Sequence, residues 1–190
     1  MVDGPVGILA LQGAFQKHAD TLAGLGVESR LVKQAHDLEG CSGLIIPGGE
    51  STTMSLLVQS YGLYDVLREF AANHPVMGVC AGLIMMAHEV DDERVKPLDI
   101  LPLKALRNHY GRQVHSFTTH LQLAFAEGGG DFPAVFIRAP GITDIAPGVE
   151  ILARHDNEVV MIASGWHLGL AFHPELTGDT RIHEYWLRKF

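Results

Sequence analysis

The stretch Pro75-Val76-Met77-Gly78-Val79-Cys80-Ala81-Gly82-Leu83 decides the fold. Proline opens it, Val76–Val79 follows as a short apolar strand, and Leu83–His88 continues as a helix. Between them stands a cysteine with a glycine two residues to either side, the nucleophile-elbow pattern with Cys in place of Ser. So sharp a strand-to-helix turn brings neighbouring backbone too close for side chains at Gly78 and Gly82, and it leaves the thiol exposed at the top of a sheet. A strand that runs directly into a helix belongs to strand–helix–strand architecture.

Working outward, the first half repeats that unit. Val6–Leu11 is a strand, followed by a helix from about Ala14 to Ala23 that Gly24 and Gly26 close. Val27–Val32 is a second strand, and Leu44–Ile46 a third, apolar enough to be buried on both faces. Pro47-Gly48-Gly49 stops it. Ser51 or Thr52 is expected to cap the next helix, with Leu56, Leu57, Leu63, Val66, Leu67 and Phe70 as the core face of that helix and of its continuation after Gly62.

The second half changes to strands with short connections: Arg112–Phe117, Leu121–Phe125, Ala134–Arg138, Glu150–Arg154, Val159–Ala163 and Leu168–Phe172. Several are expected to be antiparallel, because His155-Asp156-Asn157 and Ser164-Gly165 carry hairpin-turn residues. A closing helix from about Asp179 to Leu187 packs through Ile182, Tyr185, Trp186 and Leu187. The class is α/β. Residues 1–190 show no internal repeat, low-complexity tract or linker, so they are taken as one domain. Gly128-Gly129-Gly130 is a loop within it, and Glu89-Val90-Asp91-Asp92-Glu93 a solvated acidic loop after a helix.

A net charge of -8 with no basic run argues against a nucleic-acid surface, which needs clustered Lys and Arg. No Lys or Arg precedes Lys17, so the apolar N-terminal run lacks the positive flank of a signal peptide. No segment approaches the roughly 20 apolar residues of a membrane span. Cys41 and Cys80 are the only cysteines, and a chain of 190 residues can bury a core without a disulfide. A soluble protein in a reduced, cytoplasmic setting is expected, where a catalytic thiol stays usable.

Three segments can carry chemistry. Cys80 sits at a helix N-terminus, which favours a thiolate, and the free Ala81 N–H there can bind an oxyanion. Cys41 has no such context. In His173-Pro174-Glu175, residues two apart in extended chain point the same way, so His173 can take the thiol proton while Glu175 fixes its tautomer. In Pro47-Gly48-Gly49-Glu50-Ser51 the glycines let backbone approach a ligand, and Gly49 supplies a second oxyanion donor. The Gly-Lys-Ser/Thr ending of a phosphate loop is absent. The 11 histidines, His115 and His120 included, lack a compact ligand spacing, so no metal is expected and no cofactor is implied.

Together these segments resemble those of class I glutamine amidotransferases. Leu9-Ala10-Leu11-Gln12-Gly13, Pro47–Met54, Cys80-Ala81-Gly82-Leu83, Tyr110-Gly111-Arg112-Gln113, Phe136-Ile137-Arg138-Ala139-Pro140 and Phe172–Thr177 are similar to the branch that forms the glutaminase subunits of pyridoxal 5′-phosphate synthase. The resemblance implies a flavodoxin-like three-layer sandwich with a mixed, mostly parallel central sheet. It implies a Cys80-His173-Glu175 triad that hydrolyses L-glutamine, held by Gly48, Gly49, Glu50, Arg107, Ile137 and Arg138. It also implies a synthase subunit as partner, receiving ammonia for pyridoxal phosphate synthesis, and low activity without that partner. Where relatives usually read Ser-Phe-Glu, this chain has Ser116-Phe117-Thr118, outside the triad. Two other readings compete: a thiol hydrolase of γ-glutamyl or other small amides, and a catalytically silent regulatory subunit.

Overall fold

The computed structural model describes residues 4–107, 109, 116–125 and 130–190. Tyr110-Gly111-Arg112-Gln113, the start of the strand expected from Arg112, His115 and Gly128-Gly129 lie outside the described residues.

In chain order the elements are β1 (Val6–Leu9), α1 (Phe15–Gly24), β2 (Ser29–Val32), a 3-10 turn (Ala35–Leu38), β3 (Gly43–Ile46), α2 (Ser51–Ser60), α3 (Tyr64–Asn73), β4 (Val76–Val79), α4 (Ala81–Met86), β5 (Ala87–Val90) and β6 (Leu101–Leu106). They continue with β7 (Ser116–Gln122), β8 (Asp131–Ile137), β9 (Gly141–Thr143), β10 (Glu150–His155), β11 (Glu158–Ser164), β12 (His167–Leu170), a 3-10 turn (Pro174–Leu176) and α5 (Arg181–Leu187).

A central sheet of seven strands has the order β10-β11-β12-β4-β3-β1-β2. The five strands from β12 to β2 are parallel, and β11 and β10 add antiparallel strands at one edge. Every residue of β1, β3 and β4 is buried, which is why these segments are continuous apolar runs without alternation. At the far edge, β2 buries only Val32. Helices flank the sheet, and smaller sheets, β5-β6-β9 and β7-β8, lie outside it. The expected hairpin turns form: Asp156 between β10 and β11, and Gly165 between β11 and β12, take positive φ of 52° and 57°.

This order places the site. Because β3, β4 and β12 are adjacent and parallel, the residues that follow them emerge side by side at one sheet edge. The chain after β1 reaches the same edge beside β3, at the point where the strand order reverses. Open α/β sheets bind ligands at such points.

Several local expectations are corrected. The α2 cap is Glu50, whose carboxylate accepts the Thr52 and Thr53 N–H groups; Ser51 and Thr52 are already helical. Leu56 is 59% exposed, and Met54 and Val58 supply the α2 core face instead. The helix expected to His88 ends at Met86, because Ala87–Val90 pairs with β6 as a strand. That pairing also takes Glu89 and Val90 out of the acidic loop. Leu121 and Gln122 complete β7, where a separate strand over Leu121–Phe125 was expected. Thr118 is exposed on β7 opposite Val135. The packing expected for α5 does form: Ile182 and Trp186 are buried, and Tyr185 and Leu187 pack against the core while partly buried.

Candidate active site

Cys80 joins β4 to α4 with φ 50° and ψ −103°, a conformation an L-residue adopts only under constraint. The constraints are visible. Its N–H donates to the Leu170 carbonyl on β12 at 2.7 Å, and its carbonyl accepts the Ile84 N–H of α4 at 3.1 Å. The flanking glycines are sterically required. A Cβ on Gly82 would stand 1.9 Å from the Ile46 carbonyl oxygen, and one on Gly78 would stand 2.8 Å from the Gly82 backbone. The Cys80 Sγ lies 3.8 Å from the Ile137 carbonyl oxygen, so the strand end of β8 faces the thiol.

His173 follows β12, and its N–H donates to the Val135 carbonyl at 2.8 Å, which fastens the histidine to β8. Its Nδ1 lies 2.7 Å from Glu175 Oε1, and the pair is buried at 6% and 5% exposure. Burial works to lower the His173 pKa, but hydrogen bonds to Cys80 and Glu175 and their negative charge overcome it and raise the value. Burial opposes ionisation of Glu175 too, yet the hydrogen bond and positive charge of His173 hold its pKa below the usual range. An ionised carboxylate only accepts, so His173 donates from Nδ1 and Nε2 is left for the thiol.

The glycine loop after β3 fits closely against these groups. A Cβ on Gly48 would lie 2.4 Å from His173 Cε1, so this position admits no side chain. The Gly48 carbonyl accepts the Ala14 N–H at 3.0 Å, and across a planar trans peptide this turns the Gly49 N–H away from α1. Gln12 clamps the loop from the end of β1: its Nε2 donates to the Glu50 carbonyl and its Oε1 accepts the Glu50 N–H, both at 3.2 Å.

Glu50 Oε1 also receives Arg107 Nη2 at 2.9 Å. Burial pushes the Glu50 pKa up, but the amides and hydroxyls of Thr53 and Thr52 hold it at about 2. Arg107 pairs a second time with Asp92, which also receives Arg94. The acidic stretch expected to be solvated thus anchors the arginine of the pocket.

These elements enclose a cavity of about 360 Å³, within the range of small-molecule sites. Gly48, Gly49, Glu50, Cys80, Ala81, Arg107, Ile137, Arg138 and His173 all line it, while Glu175 stands behind His173. The structure therefore brings the whole candidate set together. Gly13, Ala14, Ser51, Ile84 and Leu176 also line the cavity without being assigned as site residues from the sequence, and Gln12 and Asp92 support it. For Gly13 a signal was present, since Gln12-Gly13 follows a strand that ends at the same edge.

Comparison with known proteins agrees with this architecture. The chain is 45% identical over 183 residues to the pyridoxal 5′-phosphate synthase subunit PdxT of Oenococcus oeni, covering 96% of this chain and 95% of that one. It is 46% identical over 188 residues to the protein of the same name from Thermoplasma acidophilum, covering 96% and 91%. A crystal structure of a glutamine amidotransferase superposes with a TM-score of 0.91 at 43% identity over 98% of both chains. PurLQS from Thermotoga maritima shares the fold alone, with a TM-score of 0.71 at 16% identity, covering 98% of this chain and 95% of that one. With the family model for SNO glutamine amidotransferases matching residues 8–190, essentially the whole span that builds the sheet and the pocket, the chain belongs to the SNO glutamine amidotransferase family.

Proposed function

We propose that this chain is the glutaminase subunit of a pyridoxal 5′-phosphate synthase, working as one domain over residues 1–190 in a cytoplasmic setting. The observation that carries the chemistry is a single constellation: Cys80 on a strained elbow beside the buried His173–Glu175 pair, with a glycine loop packed against His173. The Cys80 thiolate attacks the side-chain amide carbon of L-glutamine. The oxyanion so formed is held by the Gly49 and Ala81 N–H groups. His173, protonated by the thiol, returns that proton to the leaving ammonia, and Glu175 supports the imidazolium. Water, activated by His173, then hydrolyses the glutamyl thioester to glutamate.

A free amino acid presents an α-carboxylate and an α-ammonium, so recognition needs an arginine together with acceptors. Arg107 supplies the first, and Glu50 with the Ile137 and Arg138 backbone the second. The names of the relatives from Oenococcus oeni and Thermoplasma acidophilum support the destination of the ammonia, a synthase subunit that builds pyridoxal phosphate.

The test is glutamate release from L-glutamine with and without the synthase subunit. Turnover is expected to rise on adding the partner, and Cys80→Ala is expected to abolish it with the fold unchanged by circular dichroism. Retained turnover in Cys80→Ala would remove the thiol from its role. Preference for γ-glutamyl peptides over free glutamine would favour the competing hydrolase reading.

A further inference from the structure

Behind the triad the interior holds two more histidines that the mechanism does not use. His18 on α1 and His183 on α5 are fully buried. His18 Nδ1 lies 3.1 Å from His183 Nε2, with ring centroids 5.4 Å apart. On its other side, His18 Nε2 lies 3.7 Å from Glu175 Oε2, the carboxylate oxygen that His173 leaves free. Cys80, His173, Glu175, His18 and His183 thus form one continuous line from the pocket to the C-terminal helix.

We infer that His18 and His183 are positioning residues of the glutaminase reaction, an outer chain that holds the second oxygen of Glu175 and so fixes the face it turns to His173. The inference rests on the function proposed above.

Three observations support it. First, His18 Nε2, Glu175 Oε2, His183 Nδ1 and Trp186 Nε1 are buried without a hydrogen-bond partner among the described residues. An unsatisfied buried carboxylate oxygen is costly, and His18 Nε2, itself unpartnered, stands 3.7 Å from it. Second, the proton order is determined. Ionised Glu175 only accepts, so His18 carries its proton on Nε2 and accepts at Nδ1 from His183 Nε2–H. Burial keeps both rings neutral, with pKa values lowered to about 4 and about 3, as this ordered chain requires. Third, Leu22 on α1 and Ile182 and Trp186 on α5 fill the neighbouring core positions. Packing alone would be served as well by aliphatic side chains, without two buried imidazoles to satisfy.

The consequence reaches the oxyanion loop. The helix that carries His18 starts just after Ala14, whose N–H binds the Gly48 carbonyl. One short element therefore touches both the relay and the loop.

The test is steady-state glutaminase kinetics of the complex with the synthase subunit, for wild type, His18→Phe, His18→Gln and His183→Phe. His18→Phe is expected to lower kcat about ten- to a hundredfold, the effect of one hydrogen bond to a charged group, while KM for glutamine stays within about twofold. His18→Gln, which keeps an N–H near the Nε2 position, is expected to recover kcat to within about threefold of wild type, still inside the range of a single hydrogen bond. Unchanged kcat in His18→Phe, or equal losses in the Phe and Gln variants, would overturn the inference. If His18→Phe does not fold, His183→Phe carries the test: lower kcat at constant KM is expected, and an unchanged kcat overturns it. An inactive wild-type complex would instead overturn the function on which the inference rests.

Discussion

Glu175 is the residue whose removal separates charge from shape. His173 stands above its ordinary value of 6.5 against the pull of burial because Cys80 and Glu175 both favour its protonated form. Glu175→Gln keeps the size and a hydrogen-bond acceptor but deletes one of those two negative partners, so the His173 pKa falls. The alkaline limb of kcat/KM, where the imidazolium is lost, is then expected to move to lower pH, and kcat to fall about 10²- to 10⁴-fold. A pH–rate profile with an unmoved alkaline limb would contradict this. The residues of this centre were legible because each reactive group follows an apolar strand and carries its own local pattern. His18 and His183 were not. On α1, Gln16-Lys17-His18-Ala19-Asp20 is a polar run, and only the arrival of α5 turns His18 into a core residue. The available signal was spacing: His18 and Leu22 are four apart on one helical face.

At the level of elements, the elbow joins β4, α4 and β3 into one unit, and Gly82 is where they touch. With the Ile46 carbonyl oxygen 1.9 Å from the site of a Cβ, Gly82→Ala forces α4 away from β3, and backbone cannot yield as a flexible side chain does. The expected loss is about 2–4 kcal/mol in urea denaturation, together with loss of glutaminase activity as the Ala81 N–H moves. A variant with unchanged stability would show that the turn has slack. The parallel strands were readable because burial on both faces leaves them uninterrupted apolar. β6 was harder. Leu101-Pro102-Leu103-Lys104-Ala105-Leu106 alternates in burial, but Pro102 argues against a strand except at an edge or bulge. At three residues, β9 is too short for any periodicity to show. The end of α4 had no local marker either: Ala87 and His88 could continue a helix, and their pairing with a strand distant in sequence decides otherwise.

For the whole molecule, the buried histidines set how stability depends on pH. His18 and His183 have folded pKa values of about 4 and about 3, and burial also lowers that of the partly buried His167 to about 4, against 6.5 for an ordinary histidine. Between pH 6.5 and 4 the unfolded chain therefore binds protons that the folded chain refuses, and stability falls as pH falls. His173 has the opposite sign. Its raised pKa contributes stability that is complete below 6.5 and is lost only as pH rises through the folded value, so it does not offset the acid loss. Glu175, with its pKa depressed, adds to the decline only below the ordinary carboxylate value of 4.5. From pH 6.5 to 5 the expected cost is about 2 kcal/mol for each buried histidine. Urea midpoints measured across this range should drop well before carboxylates titrate, and His18→Gln, which removes one of the three groups, should lower the slope by about a third. Equal slopes for wild type and His18→Gln would mean that His18 is charged, or reached by water, in the folded protein. Because the same variant keeps a donor for Glu175, its activity and its acid stability are expected to part: near-normal turnover with a flatter pH profile of unfolding.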